Sequence, residues 1–206
     1  MNINEIKDEL IDYGKLLFDR GLSVATSGNI SARWGSGCII SATGTCLGRL
    51  TRDDLVLIDE NANVMEGKQK PSSEKFIHLK IYQTKKEVNA VFHTHPPYTT
   101  AFSVAGIELE KPVTAEFVYY FNKIPIAKYA PPGSDALVKY TLDALKDNAV
   151  LMANHGLIVC AENIPSAFYL TETAENTAQI YINALKLGSV KSLSAKEVNV
   201  IYQLKR

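Results

Sequence analysis

The sequence predicts an α/β fold, and three observations carry that expectation. Stretches with apolar residues every three or four positions, the mark of an amphipathic helix, alternate with short β-branched apolar runs that suit buried strands. These runs are bounded by Gly, Pro, Asn and Ser, which turn or stop the chain. At 206 residues the chain is long enough for one sizeable core and too short for two, so residues 1–206 are expected to form a single domain.

In order, Ile6, Leu10, Tyr13 and Leu17 stripe a helix over residues 3–20, with Gly21 as its C-cap. A strand is expected through Arg33 and another over residues 38–41. Residues 51–55 suit a short capped turn, 56–58 a strand, and 64–67 its hairpin return. Pro71, Ser72 and Ser73 announce a helix whose apolar side carries Phe76, Ile77 and Ile81. Residues 88–92 lead a strand that Pro96 and Pro97 cannot continue. A helix over 98–105 ends at Gly106, and the apolar, aromatic stretch 111–120 suits a strand. Ile124-Pro125-Ile126 begins an edge strand, and Ser134 caps a helix to about residue 146. A short strand from Ala149 delivers His155 at its end, with 156–160 as its hairpin partner. A long helix over 164–187 is closed by Gly188, and 194–203 forms a terminal helix.

Composition excludes several function classes. The 22 basic residues balance the 22 acidic ones, so nothing advertises nucleic acid or an anionic membrane surface, and no apolar run approaches membrane-spanning length. Cys38, Cys46 and Cys160 are odd in number and widely spaced, which suggests neither a disulfide framework nor a thiolate zinc site. The first nine residues lack the layout of a signal peptide, and a cytoplasmic location is expected.

The chemistry gathers at Val91-Phe92-His93-Thr94-His95-Pro96-Pro97. Residues i and i+2 of a strand share a face, so His93 and His95 present two imidazoles side by side. The pair is either a metal clamp or two satisfied polar residues at a strand end. His155, followed by Gly156, offers a third imidazole in a matching setting, and three neutral imidazoles with an open fourth position are the usual ligand set of a catalytic zinc site.

Three further stretches each admit two readings. Thr26-Ser27-Gly28-Asn29-Ile30-Ser31 and Ala42-Thr43-Gly44-Thr45 place hydroxyls beside free backbone N–H groups, which suits either an anion cradle or a hairpin turn. Ser72, Ser73 and Glu74 at a helix start are either caps or a phosphate site with an adjacent base. Glu116 is either an acid among apolar neighbours or an outward strand residue. His78, with no ligand partner at helical spacing, is placed on an exposed or half-buried helix face outside the site.

Taken in order over nearly the whole chain, Ser27-Gly28-Asn29, Thr43-Gly44, Ser72-Ser73-Glu74, His93-Thr94-His95 and His155-Gly156 resemble the class II aldolase and adducin-head family, most closely its zinc-dependent L-fuculose-1-phosphate aldolase branch. The resemblance implies a three-layer α/β/α domain with a mainly antiparallel central sheet, assembled as a homotetramer with active sites at subunit boundaries. It implies one Zn2+ per subunit on His93, His95 and His155, with Gly28, Asn29, Thr43, Gly44, Ser72 and Ser73 on the substrate phosphate. Glu74 is then the acid/base and a ligand of the resting metal. The implied reaction is reversible cleavage of a ketose 1-phosphate to dihydroxyacetone phosphate and a short aldehyde. Such cleavage leaves an enediolate whose charge zinc stabilises as a Lewis acid while the carboxylate moves a proton.

The family's aldehyde-side tyrosine falls near Thr114, with Glu116, Tyr119 or Tyr120 as substitutes. Sister enzymes with similar motifs are deoxyribulose-phosphate aldolases, methylthioribulose-phosphate dehydratases and ribulose-phosphate 4-epimerases, the last carrying aspartate where Glu74 stands. A non-catalytic adducin-like module is disfavoured because those heads lack the three histidines.

Overall fold

A computed structural model describes residues 2–204, which form an eight-stranded sheet and seven α-helices. The strands are β1 (Asn29–Trp34), β2 (Gly37–Ser41), β3 (Leu55–Ile58), β4 (Val64–Glu66), β5 (Ala90–Thr94), β6 (Ile126–Ala127), β7 (Ala149–Met152) and β8 (Gly156–Ala161). The helices are α1 (Ile3–Asp19), α2 (Lys75–Thr84), α3 (Pro97–Ala105), α4 (Ala115–Tyr120), α5 (Asp135–Ala144), α6 (Ile164–Lys186) and α7 (Ala195–Gln203).

The sheet order is β4-β3-β2-β1-β5-β8-β7-β6, antiparallel throughout except for the parallel pair β6 and β7 at one edge. β5 therefore lies between β1 and β8, strands remote from it in sequence. Side-chain alternation divides the core in two, as a period of two requires. Ile30, Ile39, Phe92, Leu151 and Val159 pack with Leu10 and Leu17 of α1, Phe102 of α3, Phe117 of α4 and Phe168 of α6. Ile40, Val56, Val91, Val150 and Ile158 pack on the other face with Ile77, Ile81 and Tyr82 of α2 and Leu137 near the start of α5. The result is the three-layer α/β/α arrangement with a mainly antiparallel sheet. Burying each such Leu or Phe contributes about 1.5–3 kcal/mol, which is why these stripes dock.

Local signals set most boundaries. Asn2 caps α1 in a reciprocal box with Glu5, and Gly21 follows its C-cap with φ +70°. Ser134 caps α5 and Ser194 caps α7 through side-chain bonds to the third residue of each helix. Three expectations need correction. The stretch 111–120 is not a strand: Thr114 accepts a hydrogen bond from the Phe117 N–H and starts the short helix α4. Ser72 and Ser73 lie in a turn before α2 and cap nothing at its first residue, because Glu74 occupies the N-cap without a side-chain bond. His155 is not at a strand end but in the tight turn joining β7 to β8, where Asn154 takes the left-handed conformation asparagine tolerates.

Candidate metal centre

One end of the sheet collects the predicted residues. Asn29 opens β1 and pairs with His93 of β5, so Gly28, just before β1, sits beside the carboxy-terminal end of β5. His95 follows that end directly, and the β7–β8 turn brings His155 to the same rim through the pairing of β5 with β8. One ring nitrogen from each of His93, His95 and His155 lies within 4.8 Å of the other two. Their ring centroids are 4.7, 4.8 and 5.1 Å apart, with the planes steeply inclined, so the edges converge instead of stacking.

Glycines make the convergence possible. A Cβ on Gly156 would stand 2.5 Å from the Thr94 carbonyl oxygen and 2.6 Å from Cδ2 of His95. Gly28 has φ +79°, and a Cβ there would meet the His93 carbonyl oxygen at 2.7 Å. Any side chain at either position would displace the backbone or ring of a proposed ligand.

Protonation and hydrogen bonding suit a metal ion. His93 Nδ1 lies 3.1 Å from the Leu157 carbonyl oxygen and donates to it, which leaves Nε2 with a free lone pair on the converging side. That Nε2 is 2.9 Å from Nε2 of His95 and 3.2 Å from Oε2 of Glu74. Burial, with the neighbouring rings, holds His95 down to about 3 and His155 down to about 4, so both are neutral at physiological pH. Three imidazoles crowded together with a buried carboxylate oxygen, Glu74 Oε1, that makes no hydrogen bond form a donor set that fits a divalent ion.

Glu74 is 5 % exposed and reaches the triad from the α2 side of the sheet. Its Oε1 is 3.5 Å from His155 Nε2, and its Oε2 accepts a 3.0 Å hydrogen bond from the Asn29 amide. Burial pushes its carboxyl up, but His93, His155 and the Asn29 amide together bring it below the usual carboxylate range. The group is therefore an ionised carboxylate at neutral pH, able to accept a proton.

The predicted anion-holding residues meet at the same rim. The loop after β2 is stitched to the segment before α2, with Thr43 N–H donating to Lys70 O and Ser72 N–H to Ser41 O. Thr43, Gly44 and Ser73 are exposed, while Ser72 is buried and its Oγ accepts from the Glu74 N–H at 3.2 Å. Gly44, with φ +76°, has open space where a Cβ would be, so its backbone is approachable. Glu116 is exposed on α4 instead of being enclosed by apolar side chains. A cleft of about 700 Å3 lies at the other end of the sheet among Lys85, Asn148, Ala161 and Tyr169, and none of the residues above lines it.

The sequence reading misplaced His78. It is 0 % exposed, with Nδ1 2.7 Å from Ser31 Oγ and Nε2 2.7 Å from Asn29 Oδ1. The available signal was the spacing of Glu74, His78 and Tyr82, four residues apart on one helical stripe facing the sheet.

Fold and site together define a three-layer α/β protein with a histidine triad able to hold a metal ion beside a buried carboxylate. Residues 8–182 match the profile of the Class II Aldolase and Adducin N-terminal domain. The chain is 40% identical over 172 residues to an L-fuculose phosphate aldolase of Methanococcus maripaludis, covering 84% of this chain and 93% of that protein. It is 34% identical to a 5-deoxy-D-ribulose 1-phosphate aldolase of Bacillus thuringiensis, over 96% of this chain and 94% of that one. A solved L-fuculose 1-phosphate aldolase superposes with a TM-score of 0.92 at 31% identity, covering 99% of this chain and 97% of the other. The chain belongs to the class II aldolase and adducin family.

Proposed function

We propose that this protein is a zinc-dependent aldolase that reversibly cleaves a ketose 1-phosphate of the L-fuculose 1-phosphate type into dihydroxyacetone phosphate and a short aldehyde. The observation that carries the reading is the ionised, 5 % exposed Glu74 set against three converging imidazoles at the rim where the phosphate-type loops meet. His93, His95 and His155 would hold one zinc ion per subunit, with Glu74 as a further ligand in the resting state. When bound, the ion supplies Lewis-acid stabilisation of the negative charge that builds on the ketose oxygens as the carbon–carbon bond breaks.

The chain's own residues do the remainder. Gly28, Asn29, Thr43, Gly44, Ser72 and Ser73 would receive the phosphate through backbone N–H groups, hydroxyls and the second hydrogen of the Asn29 amide, which fixes the reacting carbons next to Glu74. Glu74 would take the proton that the C4 hydroxyl gives up as the C3–C4 bond breaks and return it to C3 of the dihydroxyacetone phosphate fragment. No lysine belongs to the proposed site, in keeping with a reaction that forms no Schiff base.

The relative acting on 5-deoxy-D-ribulose 1-phosphate favours a second substrate of the same chemistry, differing only beyond the bond that breaks. Thr114 is spent on capping α4 and Tyr120 lines the cleft at the opposite end of the sheet, so Tyr119 and Glu116 stand in the proposal as the aldehyde-side candidates. A cytoplasmic homotetramer is the expected form, in which exposed apolar residues such as Phe76, Tyr129 and Leu187 would be covered. No helix among the described residues is long and apolar enough to cross a membrane. The test is dihydroxyacetone phosphate release from a panel of ketose 1-phosphates by zinc-loaded protein. Release from L-fuculose or 5-deoxyribulose 1-phosphate is expected; loss of water or epimerisation without cleavage would reject the aldolase reading.

A further inference from the structure

Behind Glu74 runs a line of buried polar groups that the chemistry above does not use. Ser31 and His78 are fully buried, and Tyr82 is 1 % exposed, between β1 and α2. Oδ1 of Asn29 meets His78 Nε2 at 2.7 Å, His78 Nδ1 meets Ser31 Oγ at 2.7 Å, and Ser31 Oγ meets Tyr82 Oη at 2.7 Å.

Each bond in this line dictates the next. The Asn29 amide nitrogen donates to Glu74 Oε2 at 3.0 Å, which leaves the Asn29 carbonyl oxygen facing His78. That oxygen requires a hydrogen on His78 Nε2. The ring is held neutral, so its Nδ1 carries the lone pair and accepts from the Ser31 hydroxyl, which in turn accepts from Tyr82. Tyr82 is fixed in its turn, since the Arg33 guanidinium lies 4.9 Å over its ring and donates to the carbonyls of Tyr82, Lys85 and Val88. Flipping the Asn29 amide would set carbonyl against carboxylate and N–H against N–H.

The line matters because it sets the one amide that holds the carboxylate beside the His93 and His155 rings, 3.2 and 3.5 Å away. Among the described residues the Asn29 bond is the sole hydrogen bond to the Glu74 side chain, and Oε1 has none. A side chain that merely filled the space under β1 would be apolar, as Ile77 and Ile81 are on the same helix.

We propose that His78 is a positioning residue: it locks the Asn29 amide in the one orientation that holds Glu74 against the histidine triad. The inference rests on the aldolase reading for its effect on turnover, and on hydrogen-bond geometry alone for its effect on Glu74.

The test uses zinc-loaded protein with 15N-labelled histidine, alongside the variants His78→Asn and His78→Gln. In the wild type, the resonance pair that disappears in His78→Asn should show a neutral ring with hydrogen on Nε2 and none on Nδ1. Asn is too short to reach Asn29, so His78→Asn should keep stoichiometric zinc while kcat for cleavage falls by about ten- to a hundredfold. Gln places an amide N–H near the position of Nε2 and should recover most of that loss. With cobalt in place of zinc, the visible absorption spectrum should change in His78→Asn and return towards wild type in His78→Gln.

An Nδ1–H tautomer, or unchanged kcat and cobalt spectrum in His78→Asn, would overturn the proposal. So would equal losses in both variants that follow their thermal midpoints, which is the pattern of a packing role. If neither variant folds, the tautomer decides the matter: hydrogen should sit on Nε2 in the wild type and stay there in a Ser31→Ala protein, because the Asn29 oxygen sets it, and hydrogen on Nδ1 in either would overturn the proposal. Failure of the wild type to cleave any ketose phosphate would count against the proposed activity, while the tautomer and cobalt spectra would still test the link from His78 to Glu74.

Discussion

Replacing Glu74 with Gln preserves side-chain volume and the oxygen that faces Asn29 while removing the charge that accepts a proton. The protein should retain metal on its three imidazoles, and kcat for cleavage should fall by about 10²–10⁴-fold. Metal analysis and steady-state rates together check this, and wild-type turnover in Glu74→Gln would remove Glu74 from the acid/base role. His93→Ala should lose both metal and activity, since its Nε2 faces the other ligands. Gly156→Ala adds one methyl where 2.5 Å separates it from a carbonyl oxygen, so it should misplace His95 and lower turnover by about a hundredfold. Residues of this kind were legible in unequal degree. His93 and His95 declare themselves by alternation on a strand, and Gly156 by standing next to a third imidazole. His78 did not, because a helix stripe of Glu, His and Tyr resembles a solvated face until the polar residues Asn29 and Ser31 of β1 are known to lie beneath it.

At the scale of elements, the boundary of α2 separates two roles for Ser73. The helix begins at Lys75 and takes no side-chain cap, so Ser73 is exposed and free of a capping duty. Ser73→Ala should therefore raise KM for the ketose phosphate severalfold and leave the thermal midpoint within a degree or so, as expected of a surface substitution worth under about 0.5 kcal/mol. A fall in midpoint with unchanged KM would return the residue to a purely structural role. Helices with strong stripes and caps, such as α1 and α6, were legible nearly to the residue. The stretch before Phe121 was not: its aromatic content suits a strand, but Thr114 caps a single run of helix that packs Phe117 into the core. The position of His155 was legible as the end of an apolar run, though not as a turn, because Asn154 adopting the left-handed region is a choice the surrounding strands impose.

For the molecule as a whole, acid should be a strong denaturant. His78 is held at about 3 against an ordinary value of 6.5, so the unfolded chain binds a proton there that the native chain refuses. A depressed value contributes stability that is present above pH 6.5 and is lost as pH falls towards 3. For this fully buried ring the loss is about 1.4 kcal/mol per pH unit within that window. His95 and His155, lowered to about 3 and about 4 but partly exposed, and Glu74, also lowered, act in the same direction. Denaturant midpoints of metal-free protein should accordingly drop between pH 6.5 and 4, and drop less steeply in His78→Asn; equal slopes would show that His78 is not buried neutral. The layer arrangement followed from the family resemblance, whereas the strand order could not be read from periodicity, which assigns faces and not neighbours.

That order carries a kinetic corollary. Because β5 meets the β7–β8 turn only through its pairing with β8, no fragment that stops short of β8 can bring the three imidazoles together. During refolding, helical circular dichroism should return early, while the cobalt colour of a complete ligand set should return only once the long-range pairing of β5 with β8 has closed.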